Sequence, residues 1–154
     1  MLDSNINKPL ILGAFFSAVA ALAHLGCVIF GGDWYRFFGA GEKMAMMAEA
    51  GEYYPTIVTS GLVLVLLIWS IYGLSGARLI IKLPLLRTAL VLISSIYVLR
   101  GVVFVVLMPI FPENSLTFWL VSSAICLSIG MLYSIGTYQS WSKTTLTPCR
   151  HTSE

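Results

Sequence analysis

Arg100 is the residue from which chemistry is most readily built, because it lies inside a long apolar run, Leu85 to Met108, that contains no acid. A centrally placed Arg costs about 2.5–3.5 kcal/mol on insertion scales, so its guanidinium needs a compensating partner. A helix rises about 22 Å from Leu85 to Arg100, which puts the side chain in the outer third of a span, within reach of the outer headgroups. His24 lies about 22 Å above Pro9 by the same arithmetic. Neighbouring spans run the other way and bring Thr59 and Ser60, and Ser122 and Ser123, to the same depth. Tyr97, three positions before Arg100, adds a hydroxyl on the same helix face. One polar layer is therefore expected from Arg100, His24, Tyr97, Thr59, Ser60, Ser122 and Ser123. No apolar run supplies a carboxylate, so the counter-ion must come from Asp33, Glu49 or Glu52 in the first long connection, or from an anionic ligand. Three readings follow. The layer is a structural network that fixes helix register through a loop carboxylate, or it lines an outward-facing pocket for a lipid headgroup or small anionic ligand, or Arg100 snorkels to the headgroups with no further role.

Other chemistries fare worse. A bis-histidine haem needs two facing histidines, and His151 lies in the C-terminal tail. One histidine among scattered carboxylates makes no metal site. His24 near Ser122 or Ser123 lacks both a G-x-S-x-G turn and an orienting acid, so a membrane enzyme ranks last. Cys27, Cys126 and Cys149 have no paired spacing, which removes a disulfide framework, a zinc site and a C-x-x-C redox motif. No cofactor is expected. The net charge of +2 is scattered, without the basic run that would track a phosphate backbone, so no nucleic-acid partner is expected.

The elements that must position these residues are membrane spans. Of 154 residues 58% are apolar and only 10% charged, with a mean hydropathy of +0.88, whereas a soluble domain is about a quarter charged. Apolar runs cover about 9–30, 55–74, 85–108 and 116–138, each long enough to cross about 30 Å of hydrocarbon. The small-x-small sequence Ala21-Leu22-Ala23 has the look of a signal-peptide cleavage site, but the apolar run continues to Phe30 and reads as a span. Arg78, Lys82 and Arg87 make the second connection the basic one, hence cytoplasmic. The acid-rich first connection and the third, with Glu113, then face outward, and both termini lie inside. Trp34, Tyr35, Tyr53, Tyr54 and Trp119 near the outer ends, and Tyr72, Tyr138 and Trp141 near the inner ends, read as interfacial belts. In the first connection a short turn follows Asp33, Gly39-Ala40-Gly41 breaks it, and Glu42 to Ala50 is an amphipathic helix. Its Met44, Met47 and Ala48 share a face that either covers the bundle end or forms a lid. Residues 1–142 form the membrane domain, and the polar tail, 143–154, reads as disordered.

The stretch from Gly32 to Met44, with Leu83-Pro84-Leu85-Leu86-Arg87 and Tyr97-Val98-Leu99-Arg100-Gly101, resembles a group of small, uncharacterised four-helix bacterial membrane proteins. In topology alone, four spans with a long first outer loop, the chain is also similar to DoxX-like proteins. The resemblance implies a bacterial cytoplasmic (inner) membrane location and carries no activity. The expected fold is an all-α membrane protein, a four-transmembrane-helix bundle with an interfacial helical segment in the first outer loop. The preferred function is the outward-facing pocket. The alternative is an accessory subunit or assembly factor of a larger membrane complex, because Gly13, Ser17 and Ala21, and Gly130 with Ser134, form faces that could seat a membrane-protein partner or a second copy. The lipid bilayer is the expected surrounding partner.

Overall fold

The computed structural model describes residues 6–110 and 114–142, with side chains as far as residue 140. The expectations for Glu113, Trp141 and the tail lie outside these residues. The described residues form helices and no strand, in the order α1 (Lys8–Phe30), α2 (Gly32–Phe37), α3 (Glu42–Glu49), α4 (Tyr53–Gly76), α5 (Leu86–Val102), α6 (Phe104–Leu107) and α7 (Leu116–Ser142). Of these α1, α4 and α7 are long and apolar enough to cross a membrane. Each satisfies its backbone polar groups internally, as a segment in hydrocarbon must.

The run 85–108, expected as a single span, is broken. Its α5 has 17 residues and gives way at Val103 to the four-residue α6. Gly101 weakens the helix there, and Val102, Val103, Val105 and Val106 crowd the preceding turn with branched side chains. Beyond the break the Val106 N–H bonds to the Val103 carbonyl at 2.9 Å, a three-residue spacing. At about 1.5 Å per residue α5 alone rises about 25 Å, less than the hydrocarbon thickness.

Helix α1 begins where the Asn7 side chain accepts from the Leu10 N–H, with Pro9 in the first turn, where a missing N–H costs nothing. Asn7 Nδ2 also donates to the Gly136 carbonyl at 2.7 Å and the Ser140 hydroxyl at 3.0 Å, so one residue caps α1 and ties it to the end of α7. Helix α1 lies along α4, α5 lies along α7, and α1–α7 and α4–α5 contacts join the pairs. Small residues set these approaches. A Cβ on Gly13 would sit 3.0 Å from the Tyr133 ring, one on Gly73 2.8 Å from the Tyr133 hydroxyl, and one on Gly130 2.8 Å from Val98. In lipid, where apolar side chains gain nothing by leaving water, such close packing is a main source of helix association. Leu10, Leu66, Leu90, Ile93 and Ile129 fill the core around Tyr97 and Tyr133. Leu22, Ile57, Leu64, Leu99 and Val121 point outward. This is the surface of a protein solvated by lipid.

Helices α2 and α3 pack on each other and on the adjoining ends of α1 and α4. They bury Tyr35 and Ala45 against Cys27, with Met44 and Ala48 alongside. The inward face of α3 thus runs through Met44, Ala45 and Ala48, while Met47 stays at the margin, half-buried. Arg36 holds the two helices together, donating from Nε and Nη2 to Glu42 at 2.7–3.0 Å and from both Nη atoms to Glu49. Its hydrogen bonds to Glu49, and then Glu42, hold the guanidinium more firmly protonated than usual and both carboxyls below the usual carboxylate range.

Candidate functional site

Arg100 leaves α5 one residue before Gly101, whose missing side chain lets α7 approach; a Cβ there would sit 2.5 Å from Leu127. The guanidinium therefore lies against α7, with its Cζ 5.1 Å from the centre of the Trp119 ring. Its Nη2 donates to the Ser122 hydroxyl at 3.5 Å, the outer limit of a hydrogen bond. Its Nη1 is buried and makes no hydrogen bond among the described residues. Two further buried atoms, Trp119 Nε1 and Ser123 Oγ, also lack partners. Their residues are each 3% exposed. Trp119, Ser122 and Ser123 stand three and four positions apart on α7 and so share one helix face. A guanidinium nitrogen of Arg100 and, on the α7 face that Arg100 lies against, an indole N–H and a hydroxyl are thus all buried without a hydrogen-bond partner among the described residues. Orphans of this kind are uncommon, because each costs about 1–3 kcal/mol.

The carboxylates expected to reach Arg100 do otherwise. Glu49 is taken by Arg36, Asp33 stands 3.7 Å from Arg36 in a highly exposed position, and Glu52 is exposed at the start of α4. The physical reason is proximity, since Arg36 lies in the same connection and closes a short loop, whereas Arg100 is on another helix.

The expected single layer is instead four separate sets, Arg100 with its α7 neighbours being the first. His24 Nδ1 bonds the Ala20 carbonyl on its own helix at 2.7 Å, and no hydrogen bond links it to Arg100. Thr59 Oγ1 lies 2.8 Å from the Tyr35 hydroxyl, which also donates to the Pro55 carbonyl, so this part of the layer seats α2 on α4. Ser60 lies half-buried beside it in sequence. Tyr97 belongs to a deeper network, its hydroxyl 2.9 Å from Ser17 Oγ. Ser17 is also 3.4 Å from the Tyr133 hydroxyl, which donates to the Trp69 carbonyl at 2.9 Å, and the Tyr97 and Tyr133 rings stack. Despite the three-residue spacing, Tyr97 turns to Ser17 on α1 while Arg100 lies against Trp119 and Ser122 on α7.

Sequence reasoning missed Trp119, which reads as an interfacial anchor, and passed over Tyr133. The spacing of Trp119, Ser122 and Ser123 was a usable signal for the first. Nothing local marks the second. Compared with known protein families, curated proteins and solved structures, the chain matches none.

Proposed function

We propose that this protein binds an anionic ligand at Arg100, a lipid headgroup or small organic anion whose oxygens accept from Arg100 Nη1, Trp119 Nε1 and Ser123. The observation that carries this reading is a guanidinium packed on Trp119 whose buried Nη1 has no hydrogen-bond partner, beside an α7 face on which Trp119 Nε1 and Ser123 Oγ are likewise unpartnered. Arg100 is half-buried, but its Nη1 is buried without an acceptor, which is costly, and an anion satisfies charge and hydrogen bonds together. Tyr97, His24, Thr59 and Ser60 drop out of the proposed site, because each is engaged or placed elsewhere.

The setting we propose is a bacterial cytoplasmic membrane with four crossings. Helices α5 and α6 together cover Leu86 to Leu107, about 33 Å at helical rise, enough to span. Val91, Leu92, Ile96, Leu99, Val105 and Val106 face outward along them, as lipid contact requires. The basic residues Arg78, Lys82 and Arg87 support an inside position for the α4–α5 connection, with α2 and α3 outside. The accessory-subunit reading rested on small-residue faces, and of these Gly13, Ser17, Ala21 and Gly130 are buried within the chain itself, while Ser134 is exposed.

The test is a thermal-shift titration of the detergent-purified protein with short-chain phosphatidylglycerol, succinate and sulfate. At least one of these anions should raise the melting temperature of the wild type saturably. Arg100→Gln should lose that response, and Ser123→Ala should weaken it while leaving the unliganded protein as stable as before. A panel without effect, or one acting equally on Arg100→Gln, overturns the reading.

A further inference from the structure

A cationic pocket lies at the opposite end of the bundle from α2 and α3, where the last turn of α4, the α4–α5 connection, the start of α5 and the end of α7 enclose about 830 Å³. Three cations, Arg78, Lys82 and Arg87, line it, and no carboxylate does. Neither Arg78 nor Lys82 makes an ion pair with another described residue. Thr88 and Thr137 add hydroxyls, and the rest of the wall is largely aliphatic, from Leu83, Leu86 and Leu90 among others.

The pocket is held open by its own connection. Ser75, itself buried, donates from Oγ to the Ile81 carbonyl at 2.8 Å and accepts from the Leu83 N–H at 3.0 Å, which pins the loop across the end of α4. Arg78 and Leu85 sit in left-handed backbone at φ 65° and 52°. Leu85 precedes α5 without a side-chain cap, so the first-turn amides of that helix lack the usual internal acceptor.

Thr137 supplies the independent sign that something binds here. It lines this pocket, is 7% exposed, and its Oγ1 is buried without a hydrogen-bond partner. Threonine in a helix commonly bonds a carbonyl of the preceding turn, as Ser134 and Ser140 of α7 do with Gly130 and Gly136. Thr137 does not.

We infer that this pocket is a binding site for a phosphate group. Arg78 and Lys82 supply charge-assisted donors, the start of α5 supplies helix-end amides, and Thr137 supplies a hydroxyl donor on the inner wall. Phosphate carried by a lipid and free phosphate share this chemistry. The aliphatic wall favours the lipid, because it offers acyl chains a surface that a free ion leaves bare. Basic pockets between spans are a recurrent mode of lipid-headgroup capture.

The inference is independent of the Arg100 site, and the experiment is run in Arg100→Gln protein so that the outer site does not contribute. Binding of short-chain phosphatidylglycerol, short-chain phosphatidylcholine and inorganic phosphate is measured by native mass spectrometry and thermal shift in a neutral detergent. Saturable binding of phosphatidylglycerol in preference to phosphatidylcholine is expected, with inorganic phosphate far weaker. Saturable binding of inorganic phosphate at comparable strength would support the site and assign it to the free ion. In either case Arg78→Gln and Lys82→Gln should each weaken binding about tenfold, one charge-assisted hydrogen bond's worth. Thr137→Val keeps the shape and removes the hydroxyl. It should leave the unliganded melting temperature unchanged or higher while weakening binding several-fold. No saturable binding of either phosphate source, or binding that all three substitutions leave unaltered, overturns the inference.

Discussion

Tyr133 and Ser123 are both polar, both buried on α7, and opposite in their consequences. The Tyr133 hydroxyl donates to Trp69 and sits beside Ser17, so its hydrogen-bonding capacity is used. Removing it in Tyr133→Phe should cost about 1 kcal/mol, the usual worth of one satisfied hydrogen bond, read as a lowered midpoint in a detergent-denaturation titration. Ser123 has no partner to lose. The same titration on Ser123→Ala should show no loss of stability. Equal costs for the two substitutions would mean that the Ser123 hydroxyl is already satisfied, and would remove one support of the Arg100 site. Arg100 follows the same logic with a charge in place of a hydroxyl, and its orphaned Nη1 is harder to tolerate.

At the scale of elements, the unit formed by α2 and α3 depends on one cation and two carboxylates. Arg36 depresses the protonation of both Glu42 and Glu49. Groups with lowered folded-state values add stability that is fully present above their unfolded value, about 4.3 for Glu, and is lost as pH falls through the depressed folded value. Hydrogen exchange of residues 32–49, corrected for its intrinsic pH dependence, should therefore stay slow from neutral pH to about pH 5 and quicken toward pH 3, below the unfolded Glu value. Exchange in α1 and α7 should not follow it. Because these groups are exposed, high salt should produce part of the same loosening at neutral pH. Arg36→Ala should abolish the pH dependence; persistence of that dependence would mean that another group closes the unit. The broken run of α5 and α6 is the other element-scale feature, and it places its turn only three residues beyond Arg100.

Across the whole molecule the two ends differ in charge. The α2–α3 end carries Asp33, Glu42, Glu49 and Glu52 against Arg36 and Lys43, while the opposite end carries Lys8, Arg78, Lys82 and Arg87. Lys and Arg in short connections set the orientation of a membrane protein, so the second end should be cytoplasmic. Reporters that are active only after export should work when inserted at Gly51 and fail when inserted after Leu79. The reverse pattern would invert the bundle and move both candidate sites to the other face of the membrane. The Arg100 cluster and the Arg78–Lys82 pocket stand at different heights, which lets a charged substitution in one be tested without disturbing the other.

The sequence by itself determined the bilayer as solvent, the all-helical architecture, the extent of α1, α4 and α7, and the isolation of Arg100 from any carboxylate in its own span. Those follow from composition and run length, which lipid enforces residue by residue. Only the tertiary structure decided which polar groups meet. Depth along a helix is readable from a count of residues, but azimuth and side-chain lean are not. Thr59 and Tyr97 therefore left the expected layer for Tyr35 and Ser17, while Trp119 entered it. The break at Val103 was also decided beyond hydropathy, because branched residues that suit lipid do not equally suit a helix. Glu49 shows the same division: the sequence offered it to Arg100, and the short loop to Arg36 took it instead.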